Sequence, residues 1–228
     1  MTGTGPRDAA EVRDGTGSLR ADVRAAGLCV RAEVVSDDAR LVAAPPALKA
    51  AAARKGDGPV VGYRGQRLIN FRWFSAEGFA HGYRWVDIKC FRLPAALCAN
   101  GEGLSALIGA AEFADGYAGG GIDPTGTTHG PYRIGHITAA AYDPVQAPEA
   151  ISVIENWARQ YGDPPDLLAG ALEEHVYRPI RKAAGCYRLK DLGTGVYHDW
   201  GGVQVEFYEF AVIDRVTGTV SLIVAADD

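Results

Sequence analysis

From Pro59 to Phe91 apolar and polar side chains alternate, and the links between the alternating runs are too short to hold a helix. Parallel strands need a crossover of a dozen residues or more, usually helical, so these runs must pair antiparallel. Val60, Val61 and Tyr63 begin the pattern, and Leu68, Asn70, Arg72 and Phe74 alternate with Ile69, Phe71 and Trp73. After a turn-like Ser75-Ala76-Glu77-Gly78, the set Tyr83, Trp85, Asp87, Lys89 and Phe91 opposes Arg84, Val86, Ile88 and Cys90. A second β signal lies at the C-terminus. Val203 to Arg215 reads as a long strand, Thr217-Gly218 as its turn, and Thr219 to Ala226 as the return strand. That hairpin is expected to close or flank the sheet.

Between these β regions the period changes. Leu104, Leu107, Ile108 and Ala111 recur at helical spacing within Leu104 to Phe113. Tyr132 to Ala141 favours a strand, because Ile134 and Ile137 are β-branched. Ala147 to Tyr161 reads as a helix, with Ile151, Ile154, Ala158 and Tyr161 on one face. A second helix follows, with Asp163 as N-cap and Pro164 in its first turn, and ends near Tyr177 before Pro179. Upstream, 28–35 alternates as a strand, 45–55 reads as a short helix, and 1–18 reads as a flexible polar tail. The prediction is an α+β fold: a mostly antiparallel sheet with a helical pair inserted before a C-terminal β-hairpin. It forms one domain over 19–228.

Composition narrows the function classes. The 228 residues suffice for one well-buried core, and 47% hydrophobic with 22% charged residues is ordinary globular composition. A net charge of -5 supplies no basic surface for phosphates, which argues against nucleic acid as a partner. No apolar run approaches a bilayer span, and the polar N-terminus lacks the apolar region of a signal peptide. The expectation is a soluble, cytoplasmic protein without a membrane partner. Heavy alanine and arginine use with sparse lysine matches the coding bias of a GC-rich bacterium. Cys29, Cys90, Cys98 and Cys186 form no CxxC pair and read as small buried hydrophobes.

Candidate chemistry centres on a glycine-rich loop from Gly116 to Gly130. It lacks the Gly-Lys-Ser or Gly-Lys-Thr ending of a phosphate loop, so a lid or ligand-contacting loop is the functional reading. His129 and His136 bracket its end, and imidazole moves protons near neutral pH. Their spacing matches no standard metal signature, so neither metal nor cofactor is assigned; His129 and His136 with Asp123 or Asp199 is the metal alternative. Arg72, Trp73, Arg84 and Trp85, with His81 nearby, offer guanidinium forks and flat aromatic area to an anionic or aromatic molecule. Glu206 shares a strand face with Gln204 and Tyr208 and is the candidate general base. His198-Asp199 precedes that strand, and Glu206 or Glu209 could orient its imidazole.

Two functions follow from these residues. The first is a small-molecule enzyme using acid–base chemistry (an isomerase, cyclase, dehydratase or hydrolase), with His136, His129 and Glu206 catalytic and Arg72, Trp73, Arg84, Trp85, His81 and Tyr208 holding substrate. The second is a non-enzymatic interaction or regulatory protein that binds through a sheet edge. Homo-oligomerisation is left open. Any site is expected between the central strands and the terminal strand, under the Gly116–Gly130 loop.

Overall fold

The computed structural model of the chain describes residues 61–74, 83–100, 102–117 and 121–227. The expected tail at 1–18, strand at 28–35, helix at 45–55, turn at 75–78 and His81 lie outside the described residues. The alternating runs become β1 (Gly62–Asn70) and β2 (Arg84–Arg92). Two short helices follow, α1 (Ala95–Asn100) and α2 (Gly103–Ile108). A largely irregular stretch then carries a small ladder, β3 (Thr128–His129) with β4 (Tyr132–Arg133). After it come β5 (Tyr142–Pro144), α3 (Ala147–Ala158), α4 (Asp166–Leu172) and α5 (Arg178–Lys182). The chain closes with β6 (Gly185–Leu189), β7 (Phe207–Asp214) and β8 (Thr219–Asp227).

Among the described residues six strands form one sheet in the order β1-β2-β8-β7-β6-β5, with every pair antiparallel. The fold class is therefore α+β, as the alternation and the short links predict. The terminal hairpin does not flank the sheet, however. β8 runs through its middle, paired to β2 on one side and β7 on the other. That position buries β8 on both faces, from Leu222 to Ala226.

Other boundaries shift for identifiable reasons. β1 ends at Asn70, and Phe71–Phe74 forms a 3-10 turn rather than extending the strand. Tyr132 to Ala141 is not a strand beyond β4; 3-10 turns occupy Ile134–His136 and Ala139–Ala141. The β-branched signal of Ile134 and Ile137 is overridden by tertiary packing, and Ile137 reaches the core from the end of a turn. β7 begins at Phe207, because Gly201–Val203 is itself a 3-10 turn. Asp163 does not cap α4, which starts at Asp166 behind Pro165. The helix also continues past Pro179 through a π turn at Glu173–Tyr177. The widened turn shifts the hydrogen-bond ladder just where the proline lacks its N–H and its ring needs room.

The sheet has two differently covered faces. On one, Ile69, Phe71, Val86, Ile88, Phe210, Val212 and Ile223 pack beneath α3–α5, whose Ile154, Trp157, Leu168, Leu172 and Ile180 are almost fully buried. Each such side chain contributes about 1.5–3 kcal/mol by leaving water. On the other, Trp85, Phe91, Ala211, Leu222 and Val224 lie beneath α1, α2 and the irregular stretch, through Leu97, Leu104, Leu107 and Phe113. This second face also carries charge.

Candidate functional site

Strand alternation puts Trp85, Asp87, Lys89 and Phe91 on the second face of β2, and Phe207 and Glu209 on the same face of β7. Register aligns Asp87 with Val224 and Val224 with Glu209, so the two carboxylates sit two strands apart in one row. Asp87, Lys89 and Glu209 are all buried. Charged groups are almost never fully buried unless paired, and here partners come from the overlying loop and from other strands of the sheet.

Lys89 Nζ donates to Asp115 Oδ2 at 2.7 Å and to Tyr117 Oη at 3.1 Å. Asp115 Oδ1 accepts the Tyr117 N–H at 2.8 Å, which holds Tyr117 at φ 55. A bulky residue in the left-handed region costs on the order of 1–3 kcal/mol, and the Asp115 and Lys89 contacts hold it there. The Tyr117 ring also stacks on Trp85, with centroids 5.4 Å apart. Burial raises the Tyr117 phenol well above its usual range, helped by Asp87 and Glu209, so it stays a neutral hydroxyl.

His129 is fully buried, stacked on Phe113 at 3.7 Å. Its Nδ1 contacts the Phe113 carbonyl and its Nε2 contacts Glu209 Oε2. A carbonyl only accepts, so Nδ1 carries a proton, and one further proton lies between Nε2 and the Glu209 carboxyl. Glu209 Oε1 accepts from the Tyr142 hydroxyl. Burial, then Glu209, pushes the Tyr142 phenol well above its usual range.

Asp87 completes the row. It accepts from Gln66 Nε2 at 2.7 Å through Oδ1, while its buried Oδ2 has no hydrogen-bond partner among the described residues. Burial raises its pKa from the usual value to about 6, against the lowering by Gln66 and Lys89. Two glycines let the loop close down on this row. A Cβ on Gly130 would lie 2.3 Å from the Phe207 ring, and one on Gly201 would lie 2.2 Å from the Pro131 carbonyl oxygen. His198 fastens the same loop: its Nδ1 accepts the Trp200 N–H at 3.2 Å, so its Nε2–H donates to the Gly130 carbonyl at 2.9 Å.

The cluster lies where a site was expected, between the central and terminal strands beneath the glycine-rich loop, but other residues make most of it. His129 belongs to it. His136 is exposed on its 3-10 turn and is not brought beside His129. Glu206 faces the other way. It pairs with Arg84 at 3.5 Å and accepts from Gln160 at 2.8 Å and from the Tyr208 hydroxyl at 3.2 Å. Arg84 is buried, bonds the Trp157 carbonyl and Gln160, and packs over the rings of Trp157 and Tyr161. It thus fastens the sheet to α3. Trp85 is buried on the opposite side of β2 from Arg84, and Trp73 is 64% exposed. Arg72 lies over the ring of Tyr83, which is 67% exposed. Arg72, Trp73, Arg84 and Trp85 therefore do not line a single pocket. Among the described residues no group of side chains has the makings of a metal site, and Asp123 and Asp199 are both exposed.

The sequence offers Glu209 only as an alternative to Glu206 for orienting His198, and it does not mark Asp87, Lys89, Asp115 or Tyr142. One signal was available: on β2 the charges Asp87 and Lys89 sit between Trp85 and Phe91 on one face, and aromatic flanks mark a covered face. Comparison with family models, with curated proteins and with solved structures found no match to this chain.

Proposed function

We propose that this chain is a protein-binding domain that takes up an extended, acidic segment of a partner along β1. The observation that carries the reading is the corner where β1 ends and β2 begins. There Trp73, Tyr83, Tyr161 and Leu167 are all exposed. Contacts link them: Arg72 covers Tyr83, Arg84 covers Tyr161, and the turn Phe71–Phe74 packs on α4, which carries Leu167. Exposed apolar clusters of this kind mark interaction surfaces, and Trp, Tyr and Arg dominate binding hot spots.

β1 supplies the second element. Among the described residues it pairs with β2 alone, and after the irregularity at Gly65 it runs in regular register to Asn70. Main-chain groups of such an edge can accept another strand. Residues 61–74 hold Arg64, Arg67 and Arg72 and no acidic residue, so charge favours an acidic segment. The acid–base alternative has less to stand on. Both ring nitrogens of His129 are engaged and the imidazole is fully buried.

The test uses the purified chain and octapeptides that alternate valine or tyrosine with either glutamate or lysine. The acidic peptides are expected to shift the backbone amides of Gln66 to Asn70 in NMR spectra. Trp73→Ala with Tyr83→Ala is expected to cost about 2 kcal/mol of that binding, typical of hot-spot truncation. Equal responses to acidic and basic peptides, or shifts confined to other strands, would sink the proposal.

A further inference from the structure

At the opposite end of β2 from that corner, Arg92 and Arg215 line one groove of about 580 Å³. Both are exposed, and neither has a hydrogen-bond or ion-pair partner among the described residues. The groove is held in shape by its backbone. The Leu93 N–H donates to the Gly218 carbonyl at 2.8 Å, which staples the β7–β8 turn to the end of β2. Asp214 orders the same turn by accepting the N–H groups of Val216 and Thr217 at 2.9 and 3.2 Å. Pro94 and the almost fully exposed Val216 give the groove an apolar lining, over the buried side chain of Leu93. Arg215 also forms a wall of a second cavity of about 200 Å³, beside Leu104, Tyr142 and Tyr187.

We infer that this groove binds a small organic anion. Its carboxylate or phosphate lies between the Arg92 and Arg215 guanidiniums, and its apolar body rests on Pro94 and Val216. Two arginines that line one groove with no counter-charge among the described residues carry planar forks that match an oxyanion in a bidentate way. The groove's volume falls in the range of small-ligand sites, and its few polar groups beside apolar walls fit the usual make-up of such sites. The stapled turn fixes the walls in advance, so binding loses little to ordering. This site shares no residue with the corner at β1 and stands independently of the proposal made there.

The probes are benzoate, phenyl phosphate, inorganic phosphate, benzyl alcohol and benzylamine, titrated into the chain and followed by amide NMR. Benzoate or phenyl phosphate, or both, are expected to shift Leu93, Ala95 and Val216 to Gly218, and whichever binds tighter names the head group. Benzyl alcohol and benzylamine should leave those amides in place, and inorganic phosphate should bind more weakly than phenyl phosphate. Arg92→Gln and Arg215→Gln should each weaken binding about tenfold, with thermal midpoints unchanged because both side chains are exposed. The inference is overturned if benzyl alcohol matches benzoate, if inorganic phosphate matches phenyl phosphate, or if the double variant binds like the parent chain. Absence of shifts at these amides with every anion overturns it as well.

Discussion

The two faces of the central sheet are covered in opposite ways. Beneath α3–α5 the contact is apolar from Ile69 to Ile223 except where Arg84 bonds α3 at the end of β2, whereas beneath the 111–142 stretch it holds Asp87, Lys89, Asp115, His129 and Glu209. The difference follows from what each cover does with its own backbone. A helix satisfies its N–H and C=O groups internally, so it can be seated with apolar side chains alone. An irregular segment cannot, and its polar groups must find partners. Here Phe113 gives its carbonyl to His129, Gly116 gives its carbonyl to Gln204, and the Asp115 backbone carbonyl takes the Gly130 N–H. Side-chain charge on one face thus replaces regular secondary structure on the other.

The largest effect expected from breaking this arrangement is at Lys89. Lys89→Met leaves Asp115 buried without its cation, a change that costs about 3–5 kcal/mol when a buried pair is halved. Urea unfolding measures it. The double change Lys89→Met with Asp115→Leu should recover most of the loss, because two apolar groups need no partner. If the single variant unfolds at the parent midpoint, the charged row does not hold the loop.

The next effect concerns Asp87 and has a definite sign. Its carboxyl is raised by burial from 3.8 to about 6, so the folded chain binds that proton more tightly than the unfolded one. Stability from this group is fully present below the unfolded value and is lost as pH rises through about 6. A rise of that size corresponds to about 3 kcal/mol between the two limits. Asp87→Asn cannot ionise, and Gln66 can still bond its amide. The variant is therefore expected to be more stable than the parent chain near pH ~8 and to lose that advantage near pH ~4. A gain that stays constant across that range would show that ionisation of Asp87 is not its source.

The same contrast explains what could be read from the sequence. The apolar face was legible, because Ile151 and Ile154 repeat at helical spacing and Val86 and Ile88 alternate on β2. The hairpin was legible too, but its place in the middle of the sheet was not. Strand order depends on which edges meet, and nothing local to 207–227 encodes that. His129 stood out as a titratable group at the end of a loop. Its partner was not fixed: Glu206, read with Tyr208 as the candidate base, lies three residues from Glu209, and in a strand an odd step changes the face. Lys89 and Asp87 were hidden for a related reason. Charged residues in an alternating strand read as the wet side until a cover is known.

The smallest expected effect tests the apolar face alone. Ile154 is fully buried on α3 within a cluster of apolar side chains, and Ile154→Val removes one methyl group. Such a truncation costs about 1 kcal/mol, from lost burial and a small residual void. Because this cluster is apolar and the raised carboxyl of Asp87 lies on the other side of β2, the loss should be the same above and below pH ~6. Urea unfolding of the variant at two pH values, alone and combined with Asp87→Asn, reads this directly. Additive effects would mean that the two faces contribute independently across the sheet, as sites without shared partners do. A coupling of about 1 kcal/mol or more between Ile154 and Asp87 would mean instead that strain passes through β2, and the two faces could no longer be treated as separate layers.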